Sequence, residues 1–218
     1  MATTYLQLVN DVLTRLREAN VSTVSQNTYS ALVGKLVNDA KREVEDAWNW
    51  ETLRSTYSFN TTASTVSYAL AGSGDKFRVL TAYNDTNDNF LEQRPSKFFT
   101  ENILLSPSAV EGIPAYYGVN GIDTNGDGLV DIYPVPDGVY TIRFDLAVPE
   151  AELSSDSDLT RLNKTAIVSL AWAKAIEERG EDGGVGVSSQ YAVAKQALAD
   201  AIAIEAGRKA DEVNWYWV

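Results

Sequence analysis

Asp123-Thr-Asn-Gly-Asp-Gly-Leu-Val-Asp131 is the stretch of this chain whose residue types and spacing come closest to chemistry. Asp123, Asn125 and Asp127 occupy the first, third and fifth positions of a calcium loop, Gly128 the sixth, where such a loop turns sharply, and Asp131 the ninth. Three carboxylates and one amide without a nearby positive charge make Ca²⁺ the candidate ligand. The twelfth position should carry a bidentate Glu, but Pro134 stands there and no helical pattern follows. The competing reading is a tight turn between strands at 115–119 and 129–133, because Asn-Gly and Asp-Gly both favour hairpin turns. The turn is the preferred reading, with the cation site kept as the alternative.

Little else in the chain is equipped for catalysis. It has no histidine and no cysteine. That excludes Ser-His-Asp triads, histidine or cysteine zinc sites, thiolate chemistry and disulfides. Glu177-Glu178 and Glu181-Asp182 are acidic clusters, but adjacent residues on a helix point in different directions, so a solvated face is expected. Gly180 to Gly186 is glycine-rich yet lacks the Gly-Lys-Ser/Thr of a phosphate cradle. A glycosidase would need two carboxyls at a defined separation, and nothing nominates a pair. The expectation is a protein that is not an enzyme and needs no cofactor.

Net charge is −12, which disfavours binding to nucleic acid through a basic patch. No apolar run approaches the roughly 20 residues that span a bilayer. The N-terminus has neither the basic start nor the apolar core of a signal peptide. No membrane association is expected, and synthesis is expected in a cytoplasm.

Aromatic residues mark two places. Trp48-Asn-Trp50 reads as core at a junction between helical and β parts. Trp215-Tyr216-Trp217-Val218 places three aromatics at the chain end, where they either fold back or dock into a partner; these four residues are the candidate partner-binding site.

The elements around these features read helical at both ends and β in the middle. Helical spacing runs over 4–19, through Leu6, Val9, Val12, Leu13 and Leu16. A second helix runs from Thr28 to Trp48, with Tyr29, Leu32, Val33, Leu36, Val37, Ala40, Val44 and Ala47 as its apolar stripe. Lys35, Asp39, Lys41, Arg42, Glu45 and Asp46 are on its opposite face. Strands are expected at 66–70 and 77–83, paired through Ser73-Gly74-Asp75, and at 90–91. A brief helix follows over 95–105, with Ser96 as its cap. Asp131 to Leu146 reads as a second hairpin, with Pro134-Val-Pro-Asp-Gly138 as its turn and Tyr140, Ile142, Phe144 and Leu146 on a buried face. Asn163 caps a helix to Arg179, and a last, alanine-rich helix begins at Ser188 or Ser189. The fold class expected is α+β: a four-helix body built from the N- and C-terminal helix pairs (1–54 with 150–218), with an inserted antiparallel β module (55–149).

The order of these signals resembles the tail tubular protein A-like family of head-to-tail adaptor (connector) proteins of short-tailed bacteriophages. The helix pair ends in Trp48-Asn-Trp50, and Tyr68-Ala-Leu70 follows in the β segment. Gly112-Ile-Pro114 with Tyr116-Tyr117 comes next, then Tyr133-Pro-Val-Pro-Asp-Gly138 with Tyr140, and Leu153-Ser-Ser-Asp-Ser-Asp158 before the C-terminal helices. Leu162-Asn163 departs from the Leu-Pro or Ile-Pro helix start of that pattern. The resemblance implies a virion structural protein at the head–tail junction, forming a dodecameric ring beneath the portal. Such a ring joins the portal to the tail nozzle or tube, and genome DNA passes through it without specific binding. The helical body and C-terminal arm would face the portal, and the β part the tail. The alternative function is a calcium-stabilised β-rich binding or adhesion module.

Overall fold

The computed structural model describes residues 2–180 and 185–208. They divide into two compact units: the residues up to Thr52 together with those from Glu150 onward, and Leu53–Pro149 between them.

In the first unit, β1 (Thr3–Thr4) runs directly into α1 (Tyr5–Arg15). Thr4 caps that helix: its Oγ1 accepts from the Gln7 N–H at 3.2 Å, and Gln7 Oε1 accepts from the Thr4 N–H at 3.1 Å. Tyr5, Leu8, Val9, Val12 and Leu13 form the buried face. α2 (Thr28–Ala47) starts at Asn27, whose Oδ1 accepts from the Ser30 N–H at 2.8 Å. α4 (Lys164–Arg179) starts at Asn163 as its sequence predicts, with Oδ1 accepting from the Ala166 N–H at 3.0 Å. It ends at Gly180, whose φ of 64° is the left-handed conformation glycine adopts without penalty. α5 (Val185–Ala206) follows. α4 packs against α1, α2 and α5. Its short side chains Ala166, Ala171, Ala173 and Ala175 are buried, so neighbours approach it on several sides.

The segment Leu153–Asp158 closes this unit. The Asp158 carboxylate accepts from the Ser155 and Ser154 N–H groups, both at 2.8 Å, and these bonds hold its pKa below the usual carboxylate value. The same turn receives the free first N–H groups of α1: Tyr5 donates to the Asp158 carbonyl at 2.8 Å and Leu6 to the Asp156 carbonyl at 3.2 Å. β10 (Leu159–Thr160) then pairs antiparallel with β1.

Three polar residues of α2 fasten the entry to this segment. Asn38 donates to the Leu153 carbonyl at 2.9 Å and accepts from its N–H at 3.1 Å. Lys41 donates to Glu45 at 2.7 Å and to the Glu150 and Ala151 carbonyls at 3.0 and 3.1 Å. Glu45 accepts from the Glu150 N–H at 3.0 Å. All three side chains are buried. Lys41 and Glu45, on the face opposite the apolar stripe, are thus buried as well. A chain segment without a strand partner still needs its backbone groups satisfied, and α2 supplies the partners as side chains.

The second unit contains β2 (Arg54–Asn60), β3 (Ser67–Leu70), β4 (Arg78–Asn84), β5 (Asn89–Phe90), β6 (Glu92–Gln93), the short α3 (Ser96–Phe99) continuing as a π-helical turn over Thr100–Leu104, β7 (Tyr116–Ile122), β8 (Gly128–Tyr133) and β9 (Thr141–Ala147). They form two four-stranded sheets, ordered β2-β9-β4-β5 and β3-β8-β7-β6. Every pairing is antiparallel except β6 with β7. The core draws on both: Leu70, Tyr117, Val130 and Ile132 from one sheet, and Ala82, Ile142, Phe144 and Leu146 from the other. Phe59 stacks on Tyr68 at 4.6 Å between ring centroids, and Tyr117 meets Phe144 edge-on at 5.2 Å.

The architecture is therefore α+β with five helices and ten strands in three sheets among the described residues. It is not a four-helix body carrying a small β insertion. Strands outnumber helices, one sheet (β1 with β10) lies within the helical unit, and the two larger sheets form a unit of their own. The expected Asp131–Leu146 hairpin is also corrected. β8 pairs with β3 and β7, whereas β9 pairs with β2 and β4. Pro134 to Gly138 carries the chain from one sheet to the other. On the way, the Val135 N–H donates to the Val110 carbonyl at 3.0 Å and the Ser64 N–H to the Pro136 carbonyl at 2.8 Å. Similarly, β3 pairs with β8 and not with the strand at 78–84. Ser96 is the first residue of α3, with Pro95 at the cap position.

Candidate interaction surfaces

The Asp123–Asp131 stretch is the connection between β7 and β8. The Asp123 carboxylate is taken up by the turn itself: Oδ1 accepts from the Asn125 N–H at 2.8 Å and the Asp127 N–H at 2.9 Å, and Oδ2 accepts from the Asn125 amide at 3.2 Å. Hydrogen bonds from the backbone, that of Asp127 foremost, lower its pKa. Asp127 Oδ1 accepts from the Gly74 N–H at 3.3 Å. Asp131 lies within β8, opposite Ser67 on one side and Gly118 on the other. Among the described residues no group of three or more acidic side chains is placed to hold a metal ion. Backbone donors aimed at the Asp123 oxygens support the tight-turn reading of this stretch. The melting temperature is accordingly expected to be the same in millimolar calcium and in excess chelator. A calcium-dependent rise in differential scanning fluorimetry would contradict this geometry.

Tight packing on the outer face of sheet β3-β8-β7-β6 shapes a second surface. Phe98 meets Tyr116 and Tyr133 edge-on, at 5.3 and 5.4 Å between centroids. Phe99 is buried against Gly118, where any Cβ would collide with its ring. Beyond Phe99 the cover stops. A groove remains between the π-helical turn and the sheet, lined by Phe99, Ile103, Leu104, Val119, Ser67 and Asp131. Leu104 is 77% exposed and Leu105 73%. Exposed apolar residues gathered in this way are a mark of interaction surfaces. The sequence places Ile103-Leu104-Leu105 at the end of a brief helix over 95–105. Three consecutive apolar residues cannot all share one buried helical face, and that was the available signal.

The candidate arm Trp215, Tyr216, Trp217 and Val218 lies outside the described residues. The last described turn of α5 is anchored: Glu205 is buried and its Oε1 accepts from the Glu51 N–H at 2.7 Å. Trp50 is core, its indole N–H donating to the Val44 carbonyl at 2.6 Å.

The motifs that carry the family resemblance thus turn out to hold the scaffold together: Trp50 under α2, Tyr68 and Tyr117 between the sheets, Asp156 and Asp158 at the start of α1. The sequence model of the SU10 adaptor protein family matches residues 3–215. The chain belongs to the SU10 adaptor protein family. The match runs through both units. No match is found among curated proteins. Membership of this family makes the chain a bacteriophage structural adaptor, a component of the virion that works by contact with other virion proteins. It agrees, at the level of a phage adaptor, with the resemblance stated above. No helix among the described residues is long and apolar enough to cross a membrane.

Proposed function

We propose that this adaptor forms a ring between the portal and the tail nozzle or tube and lines the passage taken by genome DNA. The observation that carries the proposal is the family match over residues 3–215, which spans the helical unit and the β unit alike. The subunit number proposed is that of a dodecamer, after the tail tubular protein A-like rings whose motif order the chain resembles. The charge supports the conduit. At a net −12, carboxylates outnumber basic groups, and an acidic inner wall repels phosphates, so DNA slides without sticking. In this reading the helical unit and the arm Trp215–Val218 engage the portal, and the β unit faces the tail.

Static light scattering of the purified chain mixed with its portal tests the proposal. The portal complex is expected to gain the mass of a full ring. Deleting Trp215–Val218 is expected to leave the circular dichroism spectrum unchanged and to weaken that gain. Full-strength binding of the truncated chain would remove the arm from the account, and no binding by the intact chain would remove the portal.

A further inference from the structure

The groove beside the π-helical turn has a chemistry that selects its occupant. Its floor is the row Ser67–Asp131–Gly118 across β3, β8 and β7, and its walls are Phe99, Ile103 and Leu104. Asp131 Oδ1 is shielded from solvent and accepts no hydrogen bond. Among the described residues no Lys or Arg pairs with this carboxylate. A carboxylate partly stripped of water, without a counter-ion and beside apolar walls, is electrostatically incomplete, and a cation arriving there interacts more strongly than it would in bulk water.

We infer that this groove binds a Lys- or Arg-bearing segment of a partner polypeptide, with the aliphatic stem along Phe99, Ile103 and Leu104 and the charged head on Asp131. Long basic side chains are built for such a place, since the stem covers apolar surface while the head keeps a polar partner. A guanidinium can also reach a carboxylate with two donors at once. The sign of the charge excludes DNA, whose phosphates Asp131 repels. It also disfavours a second copy of a chain that carries −12. The adaptor reading enters only in making the partner another virion protein; the binding chemistry stands apart from ring formation, which is measured with the portal and not with this groove.

The test is a methyl-detected NMR titration of the full-length chain with a capped Leu-Arg-Leu peptide, alongside peptides carrying citrulline or Glu in place of Arg. The Arg peptide is expected to shift the Ile103, Leu104 and Val119 methyl signals and to bind roughly fivefold or more tightly than the citrulline peptide, the size of effect one modest ion pair supplies. The Glu peptide is expected not to bind. Asp131→Asn should bring the Arg and citrulline peptides to equal affinity. Leu104→Ser, at an exposed position that does not support the fold, should weaken both. Equal binding of Arg and citrulline peptides to the native chain would overturn the assignment, as would shifts confined to other methyl groups. Shifts that grow with chain concentration in the absence of peptide would overturn it in favour of self-association.

Discussion

Lys41→Ala is expected to destabilise the helical unit by about 3–5 kcal/mol, the usual cost of removing one partner from a buried ion pair. Lys41 and Glu45 are both 2% exposed. Losing the ammonium withdraws the donor from the Glu150 and Ala151 carbonyls and leaves a buried carboxylate short of the charge that neutralises it. Burial already raises the Glu45 pKa, against the lowering effect of Lys41. A carboxyl whose folded pKa lies above its unfolded value favours the folded state at low pH and loses that contribution as pH rises through the folded value. The deficit of Lys41→Ala is therefore expected to shrink on acidification. Lys41→Met combined with Glu45→Leu removes both charges and is expected to recover the charge-related part of the loss, while the Glu150 and Ala151 backbone groups left without partners keep it below the native stability. Chemical denaturation followed by circular dichroism reads all three effects. A double variant as unstable as the single one would show that packing, not charge, is what Lys41 supplies.

Asp145→Asn is expected to be the most damaging isosteric change in the β unit, at about 2–3 kcal/mol. Asp145 lies mid-strand in β9, directly between Thr56 of β2 and Thr81 of β4. Its carboxylate accepts from Thr56 at 2.7 Å, Thr81 at 3.2 Å and Arg54 at 2.6 Å, so one side chain ties three strands. Burial alone would raise its pKa, but the bonds from Thr56 and Arg54, with that from Thr81, outweigh burial and lower it. The sign is the reverse of Glu45. A carboxylate with a depressed folded pKa contributes stability above its unfolded value of about 3.9 and loses it as pH falls through the folded value. The gap between the native chain and Asp145→Asn should thus be full at neutral pH and close below about pH 4. A gap independent of pH would mean that the amide fails for steric reasons.

Local signals were legible in the sequence, and pairing was not. Asn163 as a cap and Asn125-Gly126 as a turn depend only on neighbours a few residues away, and both hold. Period-two alternation marks Ile142, Phe144 and Leu146 as facing a core, and the short strand that holds Val130 and Ile132 faces one too. It could not say that these two groups face the same core from opposite sheets, because alternation fixes a strand's buried side and not its partner. Arg54–Asn60 went unread as a strand because Ser55, Thr56 and Ser58 dilute its two aromatics, and its stability comes from pairing with β9. Nothing local in the sequence marks Lys41 and Glu45 as buried, since charged residues are seldom so. Their burial follows from a segment 109 positions away in sequence, whose backbone needed partners. The same limit applies to the candidate site: Asp131 was visible as an acidic residue, but its place across the sheet from Ser67 and Gly118 depends on strand order.

The proposed ring at the portal has a visible consequence. Negative-stain electron microscopy of portal particles incubated with the purified chain tests it most directly. A continuous annular layer is expected on one face of every saturated portal, coaxial with its channel and leaving the channel open. Portals that remain bare at saturating chain concentration, or a layer that closes the channel, would contradict it.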